Sequence, residues 1–182
     1  NTEKYKTQVI SFTNEIDPPT GKPDKPRSKR SSNGTAKIKD QRFRVEMDGM
    51  IFLNDGKKAY IVYPDEEEIN VFKSDEGSVN LTPSSILAAY EKGYSYAMAG
   101  KETVKGKSIQ YVRLKPKASA EIKEIMIGID VAKQQLYSFM QMGQDGVNTT
   151  FTVTSYVTNQ TVSDDLFSIN SAQFKGFNLI EE

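Results

Sequence analysis

The chain has 182 residues, with 24 Lys and Arg balanced by 24 Asp and Glu, and it contains no Cys, His or Trp. That length suits one domain with a real core, zero net charge gives no general attraction to nucleic acid, and no apolar run is long enough to span a bilayer. Without Cys there are no disulfides or thiol nucleophiles, and without His the commonest general base and transition-metal ligand are missing, so any catalysis would fall to carboxylates, Lys, Tyr or Ser.

Asn1 is not a natural start, so the sequence reads as a processed or truncated product, and the missing leader says nothing against export. Lys4 to Ile16 reads as a long strand with Ile10 and Phe12 on one face and Val9 and Ser11 on the other. Residues 17–33 are rich in Pro, Gly, Ser and positive charge, with no apolar anchor, which predicts a mobile, solvated basic loop. Short strands follow at 35–40, 42–47, 50–53, 57–64 and 68–73, joined by Asp48-Gly49 and Asn54-Asp55-Gly56 turns. One segment breaks the pattern. Thr82-Pro83 to Gly93 has a cap, a Pro at the first helical position and a Gly stop, with Ile86, Leu87 and Tyr90 on one face. Strands resume at 94–99, 102–105, 108–115, 122–130, 135–142 and 148–158; Ser163-Asp164-Asp165 then predicts a capped turn, and 177–180 a short ending. The fold class is mainly β: one antiparallel sheet, large enough to curl into a barrel or half-barrel.

Each candidate site has a plain structural explanation beside it. Asp65-Glu66-Glu67-Glu68 follows Pro64 at a strand end; four consecutive acids cannot all converge on one cation, and the Gly and carbonyl pattern of a calcium loop is missing. They read as the wet tip of a hairpin. Gly-Lys pairs at 21–22, 56–57 and 106–107 lack the spacing of a phosphate loop, and Tyr94-Ser95-Tyr96 reads as a packed strand face. What remains is apolar surface. Alternation gives single-sided stripes at Phe43/Val45/Met47, Tyr60/Val62, Ile125/Ile127/Ile129, Leu136/Met140/Met142 and Phe151/Val153. One clear helix must cover them. Either the concavity is filled, which physics alone favours, or it is left under-filled for an apolar ligand.

The order of these segments resembles the periplasmic outer-membrane lipoprotein carrier family (LolA), including its Bacteroidetes-type members. Asn54-Asp55-Gly56-Lys57-Lys58-Ala59-Tyr60-Ile61-Val62-Tyr63-Pro64 is similar to the family's Asp-Gly-Lys strand ending in Pro. Thr82-Pro83-Ser84-Ser85-Ile86-Leu87 resembles its lid helix, Leu114-Lys115-Pro116-Lys117 its Leu-x-Pro-Lys strand end, and Val162-Ser163-Asp164-Asp165-Leu166-Phe167-Ser168-Ile169 its late motif. The resemblance implies one domain over 1–182, an incomplete β-barrel with short helices across its mouth, and no cofactor, metal or catalysis. It implies a periplasmic carrier that shields lipoprotein acyl chains, with acylated lipoproteins, an inner-membrane releasing complex and an outer-membrane acceptor as partners. The family's first helix is not found before the first strand, and its Arg-Pro latch has no counterpart at Lys39-Asp40-Gln41-Arg42. Alternation and resemblance together name a lipid-facing lining of Phe12, Phe43, Val45, Tyr60, Val62, Ile86, Leu87, Tyr90, Ile127, Ile129, Leu136 and Phe151. A lipid-sensing regulatory domain and a carboxylate-based enzyme stand as the alternatives.

Overall fold

The computed structural model describes residues 5–19, 28–73, 93–119 and 121–181. They form twelve strands: β1 (Thr7–Asp17), β2 (Arg30–Lys39), β3 (Arg42–Met47), β4 (Met50–Asn54), β5 (Lys58–Tyr63), β6 (Glu68–Lys73), β7 (Tyr94–Val104), β8 (Lys107–Pro116), β9 (Ile122–Asp130), β10 (Gln135–Gly143), β11 (Asn148–Thr158) and β12 (Asn178–Glu181). All lie in one sheet in the order β12-β6-β5-β4-β3-β2-β1-β11-β10-β9-β8-β7, which is open because its two end strands do not pair. The class is mainly β, as alternation predicts.

Turn chemistry explains the hairpins. Asp48 (φ 54°) and Gly49 (77°) join β3 to β4, and Lys105 (51°) and Gly106 (76°) join β7 to β8. Two successive positive φ angles make the turn whose twist matches that of the flanking strands. The acids after Pro64 form the tip between β5 and β6, where the backbone N–H groups of Glu66 and Glu67 donate to Tyr63 and Pro64 carbonyls (3.2 and 3.3 Å).

Three expectations are corrected. The sheet is mixed, because β12 runs parallel to β6: Asn178 N–H donates to Glu67 O (2.8 Å), and the chain continues alongside the strand that follows. The strand expected to stop near Ala99 continues to Val104, with a bulge between Met98 and Gly100 absorbing the irregularity. Finally, β2 starts at Arg30 rather than Thr35, and Lys29 beside it pairs with Glu15 (3.1 Å) and Asp17 (3.6 Å) of β1. Residues 20–27 of the expected loop, and the expected helix up to Lys92, lie outside the described residues.

By its internal contacts the chain divides into two compact units. The first holds 12–19, 28–32, 93–119 and 121–154 of the described residues; the second holds 5–11, 33–73 and 155–181. In the second unit, Arg44 stands opposite Leu53, Leu53 opposite Tyr60 and Tyr60 opposite Val71. Directly paired residues share a face. On that face Leu53, Tyr60, Val62, Ile69 and Val71 form a buried cluster with Phe174, and Ile169 and Phe177 pack against it. Cations on β2 and β3 hold the C-terminal segment there. Lys39 and Arg42 reach Asp164 at 2.9 and 2.8 Å. Arg44 donates to Leu166 O and Gln173 Oε1 (both 3.3 Å), with Phe174 beneath its guanidinium. The predicted capped turn is the 3-10 turn Asp164–Phe167, whose Ser163 side chain accepts from Asp165 N–H.

Candidate functional site

Register in the first unit brings one apolar residue from each strand into a single transverse row. Met98 of β7 stands opposite Val112 of β8, and Val112 opposite Ile127 of β9. Ile127 stands opposite Phe139 of β10, and Phe139 opposite Phe151 of β11. The Phe151 ring then meets Phe12 of β1 edge-on, with centroids 5.7 Å apart. Six strands spaced about 4.8 Å apart give a row about 24 Å long.

Neighbouring pairs widen the row into a face. Tyr96, Leu114 and Ile125 align on one side of it, and Ile129 and Leu136 on the other. A bulge in β10 is essential here. The register shifts between Leu136 and Ser138, so Leu136 and Phe139 share a side although they are three positions apart. Leu114, Ile125 and Ile127 form the buried centre, with Val112, Ile129, Leu136 and Phe139 half-buried around it.

Exposure rises toward β7, the last strand of the sheet. Ile127 is 3% exposed, whereas Met98 is 68% and Tyr96 78% exposed. Charge gathers on the opposite face: Arg113 and Glu124 pair there at 3.1 Å, next to Met126 and Met142 in the ladder. That side is tightly packed at Gly128, where a Cβ would lie 2.5 Å from Ser138 Oγ and 3.0 Å from Tyr111 Cε1. The apolar face therefore stands on a firm floor.

The acids have structural work. Burial pushes the Asp55 carboxyl up, but the N–H groups of Lys58 and Lys57 and the Tyr60 hydroxyl together hold it below the usual carboxylate range. Hydrogen bonds from Lys39 and then Arg42 do the same for Asp164. Asp130 accepts from Ala132 and Lys133 N–H. Among the described residues no three His, Cys, Asp or Glu gather as a metal set, and no helix is long and apolar enough to cross a membrane. The second unit carries a separate cleft of about 330 Å³ between Val9, Val157, Val162 and Leu166, with Lys37 at its wall.

The residues named from sequence fall into three groups. Phe12, Ile127, Ile129, Leu136 and Phe151 come together on the apolar face. Phe43 and Val45 are buried in the second unit, but on the opposite side of the sheet from Tyr60 and Val62. One lining shared by those four is therefore corrected: the register aligns Tyr60 with Arg44, and the C-terminal segment covers Tyr60 and Val62. Ile86, Leu87 and Tyr90 lie outside the described residues. The stripe Leu136/Met140/Met142 is also corrected, because the bulge puts Met140 opposite Met126 on the other face. Sequence reasoning missed Met98, Val112 and Phe139; Met98 and Phe139 each adjoin an irregular strand position, whereas Val112 alternates regularly with Leu114, which was the available signal for it.

A family profile described as "Outer membrane lipoprotein carrier protein LolA" matches residues 20–170. No curated protein matches the chain. Among solved structures, an uncharacterized conserved protein from Thermus thermophilus is similar, with TM-score 0.67, 9% identity, and coverage of 100% of this chain and 94% of that one; this likeness concerns the fold. A putative outer membrane lipoprotein-sorting protein domain from Vibrio parahaemolyticus gives TM-score 0.47 at 12% identity, covering 95% and 100%. The Mycobacterium tuberculosis lipoprotein LppX gives 0.48 at 14%, covering 85% and 89%.

Proposed function

The chain belongs to the LolA family of outer membrane lipoprotein carriers, and we propose that it shields lipoprotein acyl chains on the apolar face of its first unit and carries them through the periplasm. One observation carries this reading: the row Met98–Val112–Ile127–Phe139–Phe151–Phe12 crosses six strands without a polar interruption. Its length suits an extended acyl chain, and each methylene it removes from water contributes about 0.8 kcal/mol.

A carrier must also let go. A face sealed at Ile127 and open at Met98 and Tyr96 holds a chain while leaving one end accessible for handover. The protein performs no chemistry in this reading, and it receives cargo from an inner-membrane releasing complex and gives it to an outer-membrane acceptor.

A lipid sensor would use the same face, so the test must demand release. Purified protein is incubated with inner-membrane vesicles loaded with a labelled lipoprotein, then with acceptor membranes. Label moving first to the protein and then to the acceptor supports carriage. Label that binds and never leaves favours a sensor, and label that never binds removes the acyl-binding reading altogether.

A further inference from the structure

Strand β1 alternates, and its even positions Ile10, Phe12 and Asn14 are 5, 9 and 4% exposed. Asn14 therefore stands on the same side as Phe12, two residues along, or about 6.6 Å from the end of the apolar row. The charged residues that follow, Glu15 and Asp17, are both engaged by Lys29. Asn14 is different. Its Oδ1 is buried and has no hydrogen-bond partner. Among the described residues two other polar atoms share that condition, on Asn70 and Ser171, but those residues are only half-buried. Buried acceptors are nearly always paired, and one left open two residues beyond the end of the apolar row is available to a donor from outside the chain.

We propose that Asn14 is the polar determinant of the acyl site: its Oδ1 accepts a hydrogen bond from an N–H or O–H group carried next to a long acyl chain. The row holds hydrocarbon of any kind, and Asn14 selects amide-linked or hydroxyl-bearing acyl lipids over plain esters. A site built to pair with a donor rejects the analogue lacking it, because binding the analogue leaves the acceptor unpaired. This proposal rests on the acyl-binding reading above.

Three ligands isolate the donor. N-methylpalmitamide and methyl palmitate differ essentially by N–H against O, and monopalmitoylglycerol offers hydroxyls. Each is titrated as a competitor against a fluorescent fatty-acid probe, on the parent protein and on Asn14→Leu. The parent should prefer the amide to the ester about tenfold. Asn14→Leu should bind both alike, at the parent's ester affinity, with a melting temperature no lower than the parent's, since it removes an unpaired buried polar group. Monopalmitoylglycerol matching the amide extends the selection to hydroxyls; matching the ester confines it to amides. Equal binding of amide and ester by the parent overturns the proposal without any variant, and so does a preference that survives in Asn14→Leu. A probe that does not bind at all overturns the acyl-binding reading and this one with it.

Discussion

The rings of Phe12 and Phe151 meet edge to face, with centroids 5.7 Å apart and planes 64° to each other. This contact carries the apolar row from β11 onto β1, and it follows the edge-to-face geometry in which aromatic pairs attract beyond their buried area. Truncating the half-buried Phe151 to Ala should cost about 2–3 kcal/mol, toward the low end for a core Phe. In a double-mutant cycle with Phe12→Ala, read by urea unfolding, the pair should show a coupling of about 1 kcal/mol. Strictly additive losses would contradict a direct contact.

The floor beneath the row makes its own prediction. Gly128→Ala places a methyl 2.5 Å from Ser138 Oγ and near Tyr111 and Ile109. Overpacking of this kind costs about 1–3 kcal/mol. Thermal melting should show the loss, and combining the change with Ser138→Gly should recover part of it by removing the closest atom. An unchanged melting temperature in the single variant would contradict the close packing.

Much of the fold was legible because turn chemistry is local. Asp48-Gly49 and Lys105-Gly106 mark their hairpins wherever they occur, and the apolar stripes at Ile125/Ile127/Ile129 and Phe12 report one face directly. What was hidden depends on register. Tyr60 and Val62 alternate as cleanly as Phe43 and Val45, yet alternation within a strand does not say which face a neighbouring strand shares. The connection between β4 and β5 aligns Asn54 with Ala59, and this single pairing sends the two stripes to opposite sides. Bulges concealed the rest. At Leu136/Ser138 and Met98/Gly100 the period of two breaks, so Phe139 and Met98 could not be assigned to a face by counting. The parallel pairing of β12 is a tertiary choice that four residues cannot announce.

Arg44 anchors the C-terminal segment of the second unit. It is 5% exposed and touches Glu46, Leu166 O, Gln173 and the Phe174 ring. Arg44→Ala should cost about 2–3 kcal/mol, because it leaves polar partners unpaired and removes the stem's packing. Acyl binding on the first unit should be unchanged while the variant remains folded. A loss measured by denaturant titration of under about 0.5 kcal/mol, the scale of an ordinary surface change, would contradict the anchor.

Acid should weaken the protein through named carboxylates. Asp55 and Asp164 both have folded-state pKa values held below the usual range. A depressed folded pKa contributes stability above the unfolded value, and that contribution disappears as pH falls through the folded one. Denaturation midpoints should therefore be flat near neutrality and drop below about pH 4, around and under the ordinary carboxylate pKa. Asp55→Asn should be less stable than the parent at neutral pH and show a shallower acid decline. Parallel curves for variant and parent would contradict the assignment.

The most direct test of the central claim is titration of a fluorescent fatty-acid probe against the parent, Met98→Asp and Val131→Asp. Both replaced residues are exposed, 68% and 42%, so neither change should unfold the protein. Only Met98 lies in the row. A carboxylate there would have to be desolvated by a bound chain, which should weaken binding about tenfold or more, while Val131→Asp binds like the parent. Equal affinity in all three folded proteins would contradict an acyl seat on this face.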